Sequence, residues 1–325
     1  MTEGLAPIPA GHLPLSAQAP GKCIVFGEHA VVHGAPELLF AIDLSTQVVV
    51  RPAPRWVLNG DPSAAERHPY FRSVIQSPWA GAQPVDVRTV SRIPRGAGLG
   101  SSAALSAALT CALSSTTGGV DRPALAQRSF DVERGAQGVG SPGDTSAAVA
   151  GGFLTVNGEA IGESLWTVRD GDRTWNVRRV ADPGWVWVVA HTGIPRATGD
   201  AVRAVGARLA RPDGPTVLAE FARIATEGTR AVAAGDRKTV AELMVRNHEL
   251  LREVGVSHPR LEALIEAAHP AADGAKLTGA GAGGSIVALP REGAETELVR
   301  RLARAGGLPF VVRPAPEGAS LLSSP

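Results

Sequence analysis

The chain has 325 residues, of which 44% are hydrophobic and 19% charged, with a formal net charge of +1. That length suits two domains, or one large one, with an ample core, and the composition excludes a disordered chain. The charge balance excludes a typical nucleic-acid binder. No apolar run reaches the length of a membrane span, and the N-terminal stretch lacks the basic start and apolar run of a signal peptide. The expectation is a cytoplasmic protein with no nucleic-acid or membrane partner.

In chain order, residues 1–17 read as a loose tail. "CIVFGEHAVVHG" reads as a short strand and a turn, and "AIDLSTQVVVRP" alternates as a strand does. Residues 53–70 are rich in turn formers and read as a loop. "HPYFRSVIQSPW" predicts a short helix stopped by Pro78, and "VDVRTVSRIP" a strand. "SSAALSAALTCALSSTTG" predicts a helix of small residues capped by its serines and ended by Gly118 and Gly119. "DRPALAQRSFDVERGAQG" predicts another, with Asp121 as N-cap and Pro123 in its first turn. "GGFLTVNG" and "TWNVRRVA" look like a hairpin pair, and "GWVWVVAHTG" like a strand buried on both faces.

From Asp200 to His269 the apolar spacing is helical. "AKLTGAGAGGSIVALP" reads as a loop entering a strand, "ETELVRRLARAGG" as a helix, "PFVVRPA" as a strand and "PEGASLLSSP" as a frayed tail. This order predicts an α+β fold with mixed and antiparallel sheets. A composition shift suggests two domains, 1–180 and 181–325. The two cysteines, Cys23 and Cys111, read as small buried residues.

Four stretches carry chemistry. "PRGAGLGSSAA" places Gly96, Gly98 and Gly100 ahead of Ser101 and Ser102 at a helix start, where a bare backbone and free N–H groups suit a phosphate. Serine caps alone would need no such glycines, which cost chain entropy. "APGKCIVFGEHAVVHG" carries Lys22, one of only three lysines with Lys238 and Lys276, together with Glu28 and His29. "FDVERGAQGVGSPGDTSAAVAGG" sets a helical acid, Glu133, eleven residues before an acid read as lying in a loop, Asp144. Two such acids can divide metal and proton work. "GAKLTGAGAGGSIVAL" holds Gly279, Gly281, Gly283 and Gly284 before a strand.

Together, in this order and over nearly the whole chain, these stretches resemble the GHMP family of small-molecule kinases. Within that family they are most similar to its mevalonate-phosphorylating branch of archaeal type. The resemblance implies a nucleotide cleft between the two domains, ATP and Mg2+ as cofactors, mevalonate as substrate and a homodimer. It implies Asp144 as catalytic base and Lys22 as its partner. Gly96, Gly98, Leu99, Gly100, Ser101, Ser102 and Ala103 would form the phosphate loop, Ser102 and Glu133 would bind metal, and Glu28, His29, Asp144 and Thr198 would face the substrate. Ala282 interrupts a glycine run usual in the family, Glu37 and Leu38 stand where small residues are more usual, and Leu105 replaces a tyrosine of some members. A family kinase for another small alcohol (a mevalonate phosphate or a sugar) is the alternative within the class, and a non-catalytic sensor of nucleotide and metabolite the alternative outside it. The presence of Lys22, Glu133 and Asp144 argues against the sensor, and ADP release would separate the two.

Overall fold

A computed structural model describes residues 15–77, 84–115, 121–138, 140–195 and 198–322. Strand β1 (Leu15–Phe26) pairs antiparallel with the long strand β2 (Glu37–Pro52), and a 3-10 turn at Ala30–His33 joins them. Next come β3 (Val57–Leu58), α1 (Pro62–Arg67), α2 (Pro69–Ile75) and β4 (Val85–Ser91). Helices α3 (Ser101–Ser114), α4 (Arg122–Gln137) and α5 (Gly143–Ala150) precede β5 (Phe153–Val156), β6 (Glu163–Asp170) and β7 (Arg173–Val180). The rest of the chain forms β8 (Trp187–His191), α6 (Thr198–Leu209), α7 (Gly214–Ala234), α8 (Arg237–Glu253), α9 (Pro259–Ala268), β9 (Ala272–Thr278), β10 (Ser285–Pro290), α10 (Glu295–Arg304), β11 (Leu308–Val312) and β12 (Ser320–Leu322).

The larger sheet has the order β12-β1-β2-β5-β7-β6, with β4 also on β2 and β3 beside β4. All its pairings are antiparallel except β3 with β4. The smaller sheet, β11-β8-β10-β9, is wholly antiparallel. The fold is thus α+β. Helices α3 and α5 lie against β1 and β2, and α8 against β9. Among the described residues, no helix is long and apolar enough to cross a membrane.

Local chemistry explains most elements. Asp121 caps α4 by accepting from the Ala124 N–H, with Pro123 in the first turn. Strand β8 is buried throughout, as an unbroken apolar run requires. Helix α3 is built of Ala, Ser, Thr, Cys and Leu, nearly all buried, so small side chains let it sit close to the larger sheet. Phe40 and Phe153 from the larger sheet stack near Trp187 of the smaller, with Phe40 centroids 5.0 Å from Phe153 and 5.2 Å from Trp187. The two sheets therefore share one apolar core.

Several expectations are corrected. Residues 53–70 are not one loop, because Asp61 accepts from the Ser63 N–H and starts α1. The strand reading of "GGFLTVNG" with "TWNVRRVA" holds as β5 on β7, but β6 lies between them in sequence and forms the hairpin with β7. "AKLT" closes strand β9 rather than opening a loop. Within the expected C-terminal tail, Ser320–Leu322 form β12 and pair with β1, and β1 itself begins at Leu15 inside the expected N-terminal tail. Pro78, Gly118 and Gly119 lie outside the described residues.

Candidate active site

Lys22 enters the site from β1 and is 1% exposed. Its ammonium lies 2.9 Å from Asp144 Oδ1. The glycine stretch builds its socket. The Lys22 N–H donates to the Leu99 carbonyl at 2.9 Å, and a Cβ on Gly100 would stand 2.7 Å from Lys22 Cγ. Gly100 also has φ of 74°, so both space and backbone demand glycine there.

Gly100 occupies the N-cap position of α3 and no side chain caps that end, which corrects the reading of the serines as caps. Ser101 and Ser102 are instead the first two helical residues. A 14-residue helix thus starts with a bare glycine ahead of its first N–H groups, an arrangement suited to an anion. Gly98, Leu99 and Ala103 are buried beneath this turn and Gly96 is exposed.

Asp144 is the second correction. It sits in the first turn of α5, not in a loop. The Pro-Gly pair before it marks the helix start, with Pro142 at the N-cap position. On α4, Glu133 is approached by the Ser102 hydroxyl at 3.5 Å, by the Ser106 hydroxyl at 3.3 Å and by the Gln137 amide. Ser106, one turn beyond Ser102, was not singled out in the sequence, although its spacing along α3 places it on the same face.

A cleft of about 410 Å³ is lined by Lys22, Glu28, His29, Glu37, Glu133 and Asp144, among others. The structure thus brings together three of the four stretches, the last through Gly279 and Ala280, with Glu37 from outside them. The glycine stretch 96–103 stands behind Lys22 and Glu133 and is not part of that lining. Glu28 is buried and ion-paired to the fully buried Lys276. Burial pushes its carboxyl above the ordinary range, opposed by the Lys276 ammonium, and its Oε2 has no hydrogen-bond partner. His29 has φ of 64°, and its Nε2 meets the Ala280 carbonyl at 3.0 Å. Thr198 opens α6, but its side chain lies outside the described residues.

The second glycine stretch packs the smaller sheet against this site. A Cβ on Gly281 would strike the Val256 carbonyl at 2.1 Å. Ala282 donates to the same carbonyl at 2.8 Å and adopts φ of 54°. Thr278 exchanges hydrogen bonds with the Ile24 backbone at 3.0 Å, fixing β9 against β1 just past Lys22. Ser285 donates to the Ala97 carbonyl at 2.7 Å and so pins the first glycine stretch from the opposite sheet. Cys23 is buried and its Sγ lies 3.4 Å from Thr278 Oγ1; burial raises its thiol to about 11, so it stays a thiol.

Comparison with known proteins agrees with this arrangement. Residues 69–152 match the GHMP kinases N terminal domain and residues 229–307 the GHMP kinases C terminal family. The chain is 34% identical to a mevalonate kinase of Methanothermobacter thermautotrophicus over 84% of this chain and 89% of that protein. It is 31% identical to a mevalonate kinase of Archaeoglobus fulgidus over 84% of this chain and 91% of that one. Among solved structures it shares its fold with the L. major mevalonate kinase in complex with R-mevalonate, at a TM-score of 0.76 and 23% identity, covering 93% of this chain and 96% of that one. With two family domains matched in order and archaeal relatives above 30% identity along most of its length, the chain belongs to the GHMP kinase family.

Proposed function

We propose that this protein transfers the γ-phosphoryl group of ATP to the C5 hydroxyl of mevalonate. The observation that carries the reading is the buried Lys22 ammonium held 2.9 Å from Asp144 at the wall of the cleft. The names of the archaeal relatives, mevalonate kinase, support the choice of alcohol.

Phosphoryl transfer asks the protein for positioning and for stabilisation of developing charge. Asp144 accepts the proton of the attacking hydroxyl. The alcohol oxygen bonds to the γ-phosphorus, the bond from that phosphorus to the bridging oxygen breaks, and ADP leaves. Lys22 stabilises the negative charge that grows on the transferred group. The backbone of Gly96–Ala103 and the N-terminus of α3 receive phosphate oxygens. Glu28 faces the alcohol with an unpartnered buried oxygen that a substrate hydroxyl can satisfy, His29 lines the same cleft, and Thr198 is the remaining substrate-facing residue that the family resemblance implies.

The oxygen donors around Glu133 suit a hard cation. Magnesium takes one or two carboxylates and leaves its other positions to phosphate and water, so a carboxylate with the Ser102 hydroxyl beside it fits the ion. Glu133 and Ser102 would hold Mg2+, which would supply positive charge to the phosphate oxygens.

The test is ADP release with and without mevalonate, for the parent protein and for Asp144→Asn. Mevalonate-dependent release is expected in the parent, and a loss of about 10²–10⁴-fold in the variant, which keeps the shape but accepts no proton. Release that ignores mevalonate sinks the substrate, and a variant within a few-fold of the parent sinks the base.

A further inference from the structure

Glu37, the first residue of β2, lies in the cleft wall although it is only 2% exposed. Its charged neighbours come from three elements: Asp144 on α5, Lys22 on β1, and Glu28 in the turn after β1. The one cation among these neighbours, Lys22, is already engaged with Asp144, and Glu28 has its own partner in Lys276. Among the described residues, the one hydrogen bond to the Glu37 carboxyl is a long one, from the Ser141 hydroxyl to Oε2 at 3.5 Å. The same Oε2 leaves no room for a side chain at residue 143, where a Cβ on Gly143 would approach it to 2.1 Å. The carboxyl is therefore fixed in place against the start of α5, close to the base and without a cation of its own.

A buried carboxyl without a counter-ion holds its proton. The cleft makes the same demand for a second reason, because it must admit an anionic nucleotide and an anionic alcohol. A third ionised carboxylate beside Asp144 and Glu28 would repel both.

We propose that Glu37 is a specificity-determining residue of the cleft, a neutral carboxylic acid beside the Lys22–Asp144 pair whose O–H donates to an oxygen of the bound alcohol. The inference rests on the phosphoryl-transfer reading above for the identity of the ligand and on geometry for the role. Burial, reinforced by the Asp144 charge, pushes the Glu37 carboxyl up to about 8. The donor is thus present at neutral pH and is lost in mild alkali, where the oxygen that held the proton becomes a repelling charge. Glutamine at this position would keep a donor and could not ionise.

Three variants and two readouts test the role. In the parent, kcat/KM for mevalonate should fall about tenfold between pH 7 and pH 9, as the protonated fraction does. KM for MgATP should move much less. E37Q should lose this alkaline fall whatever its rate at pH 7. E37A should raise KM for mevalonate about tenfold at pH 7, the worth of one hydrogen bond, with kcat changed less. E37D, which retracts the carboxyl by one methylene, should raise KM in the same way while remaining pH-dependent. A purely structural Glu37 would lower thermal stability in E37Q and E37A while leaving the pH profile and the KM of each variant parental, and that result overturns the proposal. So does an alkaline fall that persists in E37Q.

The second readout needs no substrate. In protein labelled with carbon-13 at the glutamate carboxyl, the resonance absent from E37Q should titrate above neutrality. Titration in the ordinary carboxylate range overturns the proposal. If the parent fails to phosphorylate mevalonate while this resonance titrates high, the reading of substrate fails and the neutral acid stands.

Discussion

Lys22 reaches Asp144 through a gap that Gly100 leaves open, so the gap limits what can replace the lysine. A guanidinium is wider and planar and needs room on both sides. Lys22→Arg is therefore expected to lower the single-turnover rate of mevalonate phosphorylation almost as far as Lys22→Met, by about 10²–10³-fold, with substrate affinities changed less. Lys238 is 86% exposed on α8 and pairs only distantly with Glu242, at 3.9 Å; it should accept arginine without effect. A parental rate in Lys22→Arg would show that charge alone is needed. Glu37 adds a stability effect of definite sign. Its carboxyl keeps a proton in the folded protein up to about 8, whereas the unfolded chain gives it up near the ordinary value, roughly 4.3. Between those two values the native state binds more protons, so this residue's contribution to stability declines as pH rises and levels off above about 8. The melting temperature of E37Q should gain on that of the parent between pH 5 and pH 9, and a constant difference would contradict the assignment. The Lys22–Asp144 pair was legible in the sequence because lysine is scarce there and both residues lie in recognisable stretches. The roles of Glu37, Lys276 and Ser106 were not, because they depend on neighbours up to 248 residues away, as with Glu28 and Lys276.

The start of α3 shows how an element can serve two ends. Its missing cap exposes backbone donors, and its glycine also makes way for the Lys22 stem. Gly100→Ala should cost about 1–2 kcal/mol for the left-handed backbone alone. It should cost far more activity than stability, because the new methyl displaces Lys22. Comparing its melting temperature with its turnover checks this, and a loss of activity in proportion to unfolding at assay temperature would remove the second role. Capping and periodicity are local, which is why α4 and β8 could be read directly. Helix α5 was hidden by the Ser-Pro-Gly before it, which resembles a loop but serves here as a helix start. Strand β9 was cut short in the reading because its last residues merge into a glycine turn. Strand β6 has charged and polar residues exposed along half its length and gives only a weak alternation.

At the scale of the whole molecule, the larger sheet is completed by residues from the far end of the chain. Strand β12 pairs with β1, Ala315 donates to the Ala41 carbonyl at 2.8 Å, and its own carbonyl receives Gly152 at 2.7 Å. Ala319 donates to the Ala148 carbonyl at 2.8 Å, and Arg122 bridges the carbonyls of Val149 and Ala319 at 2.6 and 2.8 Å. These bonds fasten the C-terminal end of α5, the helix whose first turn carries Asp144. Truncation after Arg313 should therefore lower stability by several kcal/mol, at about 1 kcal/mol for each bond lost. It should also reduce kcat in the fraction that stays folded. A truncated protein with parental kcat would separate the clamp from the site. Domains usually take shape in the order they are synthesised, but here the larger sheet takes its edge strand, β12, from the far end of the chain. When the ribosome has finished α5 and the strands after it, the segment that closes their sheet is still untranslated, and the smaller sheet must be made first. Asp144, the base of the proposed reaction, thus reaches its final setting only after almost all of the protein has been made. A fragment ending at Val180 would lack this edge strand and the Ala315 and Ala319 bonds to the larger sheet, so it should be less stable than the same residues in the whole chain.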